Sequence, residues 1–207
     1  MRLPSLAAAL AALVGFFAGV AAQAAEPPEI EEIRAAWNAC AAFMETKSDD
    51  WIGWRRDLGN GNGDYFEFWD NEGTDAPPVL RQTFLIDGDV ARHTFCFRTD
   101  ETLAFVFTAM TTPNVATDGP ALTREGRIYV TPDGGLARVI GRVMEAGKKV
   151  ADMDTLTYSL AHGCLPVDMQ LTLERVRLHY AHEMGDASGA HPAYQPGLFD
   201  WCGNSGG

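Results

Sequence analysis

From Ile30 to Met44 the apolar residues Ile30, Ile33, Trp37, Cys40 and Met44 recur at alternating spacings of three and four. That spacing keeps them on one face of an α-helix and predicts a helix here. Pro27 and Pro28 precede it, and Glu29, Glu31 and Glu32 fall in its first turns, where negative charge suits the helix dipole. From Tyr65 onward the period shortens and the apolar segments shrink to strand length. Tyr65 to Trp69, Val79 to Ile86, Val90 to Arg98 and Thr102 to Met110 read as strands, with Asp87-Gly88 and Thr99-Asp100 as turns. Arg124 to Thr131 and Leu136 to Glu145 flank Pro132-Asp133-Gly134-Gly135, a hairpin turn in which proline fixes φ and glycine tolerates positive φ. Val150 to Leu160 and Met169 to Tyr180 add two further extended segments, the second of which also fits a helix. Asp57 to Asp64 reads as a loop, because its Asn-Gly steps are turn chemistry and the glutamate that an EF-hand calcium loop requires is missing.

One N-terminal helix followed by roughly eight short strands predicts a mainly β fold, an antiparallel up-and-down meander curled into a barrel or half-barrel that hides its edges. The helix is expected to plug or flank the opening. Neither an internal repeat nor an interdomain linker interrupts the pattern, so residues 25–207 are expected to form a single β-rich domain. From about residue 185 the chain is rich in Gly, Pro, Ser and Asp, and is expected to be an irregular tail.

The N-terminal pattern differs from the rest. Met1 and Arg2 precede an almost wholly apolar run from Leu6 to Val20, and Ala22-Gln23-Ala24 offers the small-x-small site that signal peptidase accepts. Residues 1–24 are therefore read as a signal peptide, and the mature chain as periplasmic or secreted. The run is shorter than the roughly 20 residues a spanning helix needs, so no membrane span is expected. Cys40, Cys96, Cys164 and Cys202 are widely spaced and lie in no C-x-x-C pair. In an exported chain such cysteines form disulfides, and Cys40 with Cys96 and Cys164 with Cys202 is the pairing favoured among the three possible. The formal net charge of −12 argues against nucleic acid and anionic membrane surfaces as partners.

Candidate chemistry is sparse. Alternation puts His93, Phe95 and Phe97 on one face of their strand, and Phe105 and Phe107 on one face of the next. The two faces are read as pointing the same way, so one face is strongly aromatic, and its rings either fill the core or line a lumen that accepts a small apolar or amphipathic ligand, with His93 as a polar handle. His179 and His182, with His191 beyond them, form a second cluster that reaches three-ligand metal geometry only if its segment is helical. A transition-metal or haem protein, or a metal-assisted hydrolase, is the corresponding alternative, although no cofactor is expected on the leading reading. The nucleophile-elbow, Walker and dinucleotide-binding motifs are missing, so a non-enzyme is favoured. An accessory protein acting through its surface is the third alternative. Arg92, Arg98, Arg138 and Arg142 are expected to face water.

Overall fold

The computed structural model describes residues 26–47, 51–59, 62–71, 74–86, 89–112, 119–153 and 171–183. Helix α1 spans Pro28–Thr46, with proline in its first turn, where the missing N–H is of no consequence. Eight strands follow: β1 Ile52–Gly59, β2 Asn62–Trp69, β3 Val79–Ile86, β4 Asp89–Phe97, β5 Leu103–Thr112, β6 Leu122–Val130, β7 Leu136–Glu145 and β8 Lys148–Met153. A second helix, α2, runs over Leu173–Glu183. Every strand pairs antiparallel with its neighbour in sequence, in the order β1 to β8. The protein is thus a mainly β, up-and-down meander with one N-terminal helix, as its sequence pattern predicts.

One expectation changes and two that were open narrow. First, of the barrel or half-barrel expected, the closed barrel is not formed, and among the described residues β1 and β8 remain as the sheet's edges. A physical reason is that helices cover both faces: Ile30, Ile33 and Cys40 of α1 pack on one, Leu173 and Val176 of α2 on the other. Apolar area that a barrel would bury by curling is buried here by helices. Second, residues 57–59 and 62–64 are strand rather than loop. Asp57–Gly59 ends β1 and Asn62–Asp64 begins β2, with Arg55 opposite Tyr65 and Asp57 opposite Gly63. Third, the ambiguous segment from Met169 becomes α2 over Leu173–Glu183, because Leu173, Val176 and Tyr180, spaced by three and four, all meet the sheet's core.

The turns carry their expected chemistry. Thr131 donates its N–H to the Gly135 carbonyl at 2.9 Å, and Gly134 stands at φ 83°. Between β7 and β8, Ala146 and Gly147 both have positive φ, which matches the twist of a two-residue hairpin. Arg98 donates its N–H to Thr102 across the β4–β5 turn. Its side chain does not face water, as expected from sequence, but is 8% exposed and donates to the carbonyls of Leu103 and Val130, both at 2.6 Å. Glu32 of α1 completes its shell at 3.2 Å. Arg138 pairs with Glu26 and Arg142 with Glu125, while Arg92 is exposed.

Helix α2 is fastened at its N-terminal end. The Leu173 N–H donates to the Glu101 carbonyl, and the Arg177 guanidinium reaches Asp70 at 2.6 Å and Glu101 at 2.8 Å. On the opposite face a disulfide joins Cys40 of α1 to Cys96 of β4, the first of the two bridges expected. Cys164 and Cys202 lie outside the described residues. Among the described residues no helix is long and apolar enough to cross a membrane.

Candidate functional site

The register of β4 and β5 decides which aromatic rings meet. Phe95 lies opposite Val106 and His93 opposite Thr108, so odd residues of β4 share a face with even residues of β5. At the end of the pair the register shifts: Cys96 opposes Phe105 and Phe97 opposes Leu103. Ala104 is the extra residue of this β-bulge. The bulge puts Leu103 on the Phe97 side and sends Phe105 and Phe107 to the other. The five residues expected to line one lumen are therefore divided between two faces, a correction that alternation within each strand could not reveal.

The α2 face is filled. Phe95 and Phe97 are wholly buried among Phe66, Phe68, Leu80 and Val106, beneath Leu171, Leu173 and Val176. His93 stands further along this face, 3% exposed, edge-on to Phe84 at 5.2 Å and stacked near Phe95 at 6.3 Å. Its cross-strand neighbours are the buried Gln82 and Thr108. Burial alone pushes the imidazole down to a pKa of about 3, which keeps it neutral at ordinary pH.

The α1 face leaves a recess. Arg34, Trp37 and Asn38 stand at positions i, i+3 and i+4 of α1 and so project together. Phe105 and Phe107 alternate along β5, and Tyr129 and Arg127 are their direct partners on β6. These seven residues line a cleft of about 430 Å³, within the roughly 300–1,000 Å³ typical of small-molecule sites. Trp37 lies 4.8 Å from Phe105 and 6.1 Å from Phe107, centroid to centroid, and Tyr129 meets Phe105 edge-on at 5.0 Å. Phe105 and Tyr129 are buried and form the floor, while Trp37, Phe107 and Arg127 are half-buried and form the walls. A smaller recess of about 200 Å³ lies between the β6–β7 turn and the start of α2.

Two arginines line the cleft. Arg34 is tied to Glu26, and a hydrogen bond to Tyr129 with the nearby carboxylates holds its pKa above the ordinary arginine value. Of the half-buried arginines elsewhere, Arg81 meets Glu67, Arg142 meets Glu125 and Arg177 meets Asp70, while Arg124 donates to the Thr112 hydroxyl. Arg127 is half-buried, and its guanidinium makes no ion pair or hydrogen bond with the described residues. Phe107 on one side and Ile140 on the other are its cross-strand neighbours.

Of the expected site residues, Phe105 and Phe107 are brought together in the cleft, and His93, Phe95 and Phe97 lie across the sheet. Sequence pattern assigned Trp37 to a helix face but missed Arg34, Asn38, Arg127 and Tyr129. The i, i+3, i+4 spacing on α1 was a usable signal for the first two, whereas the β6 pair depends on register. His179 and His182 fall three residues apart on α2. Their side chains, and the whole of His191, lie outside the described residues. Among the described residues no group of three or more His, Cys, Asp or Glu side chains is placed to hold a metal ion. Compared with protein-family models, curated proteins and solved structures, the chain gives no match.

Proposed function

We propose that this is an exported, non-catalytic binding protein that holds a small amphipathic molecule in the cleft between α1, β5 and β6. One observation carries the reading: Trp37, Phe105, Phe107 and Tyr129 line a recess of about 430 Å³ together with Arg34, Asn38 and Arg127, so aromatic and polar groups face one space. Such a mixed lining suits an amphipathic molecule, since apolar surface supplies affinity and polar groups fix orientation. Export is supported by the basic start, apolar run and small-x-small site at residues 1–24, and by the Cys40–Cys96 disulfide, a bond that persists in oxidising compartments.

The test is a titration with N-phenyl-1-naphthylamine, a neutral probe whose fluorescence rises in apolar sites. Saturable binding is expected, and Asn38→Trp, an exposed helix position at the cleft wall, should abolish it by filling the recess while leaving the thermal midpoint near that of the parent. Undiminished binding by a folded Asn38→Trp protein would overturn the assignment.

A further inference from the structure

We infer that the ligand of this cleft is an amphipathic monoanion, with a carboxylate or sulfonate head held by Arg127 and an aromatic or alkyl body against Trp37, Phe105 and Phe107. The inference rests on the cleft being the binding site and adds the charge of what it binds.

The argument starts from the position of Arg127. A guanidinium loses hydration when half-buried; Arg81, Arg142 and Arg177 offset that loss with a carboxylate, and Arg124 in part with the Thr112 hydroxyl. Arg127 has no such acid among the described residues, and it lies beside Phe107 in the wall of the recess. A planar fork of N–H donors beside an aromatic surface matches a ligand that carries an oxyanion at one end and an apolar body at the other. Arg34 lines the same recess and adds positive potential, although its pairing with Glu26 leaves it the lesser anchor.

The net charge of −12 does not oppose this reading. Exposed charges more than about 10 Å away are screened at 0.1 M salt, so a small anion inside the cleft responds chiefly to the guanidiniums it touches. A polyanion or an anionic membrane cannot enter the recess and meets the summed negative surface instead.

The experiment compares N-phenyl-1-naphthylamine with its 8-sulfonate derivative, which keeps the same aromatic body and adds one negative charge. Their dissociation constants are measured by fluorescence on the parent, Arg127→Gln, Arg34→Gln and Arg55→Gln proteins, the last removing an exposed cation on β1. On the parent the anion is expected to bind on the order of tenfold or more tightly than the neutral probe, the ratio a charge-assisted hydrogen bond supplies. Arg127→Gln should bring that ratio near one, Arg34→Gln should lower it less, and Arg55→Gln should leave it unchanged. A ratio near one on the parent overturns the inference and leaves the cleft assignment standing. So does a ratio that survives Arg127→Gln, because the anion is then held elsewhere. Binding of both probes that persists in Asn38→Trp overturns the cleft assignment, and the inference with it.

Discussion

Acid should weaken this fold through His93. The imidazole is 3% exposed between Phe84 and Phe95, and burial lowers its pKa from 6.5 to about 3. Below pH 6.5 the unfolded chain binds a proton that the native protein refuses until about pH 3, so stability falls as pH falls through that window. Above pH 6.5 both states are neutral at this position and the full stability is present. Each pH unit within the window lowers the folding constant about tenfold, so at pH 5 the loss is roughly 30-fold, or about 2 kcal/mol. That is a large share of the ~5–15 kcal/mol that stabilises a typical domain. The assay is urea unfolding followed by tryptophan fluorescence at pH 7.5 and pH 5, for the parent and for His93→Gln, which keeps a neutral polar side chain opposite Gln82. Carboxylates and the other histidines contribute alike to both proteins and cancel in the difference. The parent should lose about 2 kcal/mol more than the variant between the two pH values. Equal losses, with unchanged denaturant slopes, would refute the assignment of His93 as a neutral core residue, and a smaller loss in the parent would reverse its sign.

Other perturbations have separable outcomes. Replacing Cys40 and Cys96 together by Ala removes a bridge between residues 56 apart in sequence, which in the chain-entropy model lowers stability by about 4 kcal/mol; an unchanged denaturation midpoint would contradict it. Arg98→Met leaves the Leu103 and Val130 carbonyls without their donor and should destabilise by about 3 kcal/mol. Its partner Glu32 is 59% exposed, so Glu32→Gln should cost under about 1 kcal/mol, and equal effects from the two in thermal melts would be inconsistent with this account. Gly147→Ala meets no atom within 4 Å, yet its φ of 78° is left-handed, so backbone conformation alone should cost about 1 kcal/mol in the same melts.

How much of this was legible in the sequence depends on how local each determinant is. Helix α1 and the β6–β7 hairpin were readable because a 3–4 apolar spacing and a Pro-Asp-Gly-Gly turn are local facts. The β1–β2 hairpin was not, because Gly53, Gly59 and Gly63 weaken the strand signal and Asn-Gly serves loops and hairpins alike. In α2 the alternating Arg-Val-Arg-Leu-His-Tyr imitates a strand, and the helical period appears only when Leu173, Val176 and Tyr180 are read together. The site was half legible. Phe105 and Phe107 read as a pair and do share a face, but which face is set by the Ala104 bulge and by pairing with β6, both of which are long-range information.

The neighbour order of the strands has a kinetic consequence. Because each of the seven pairings joins segments adjacent in sequence, the sheet can grow hairpin by hairpin, each step closing a short loop. The distant closures are those that dock the helices, Cys40 onto Cys96 and Arg177 onto Asp70, the latter 107 residues apart. During synthesis Cys40 emerges well before its partner, so the bridge can form only once β4 has been made, and the recess beneath α1 takes its final shape after that. Refolding from the reduced chain should therefore recover strand signal by circular dichroism before it recovers probe binding.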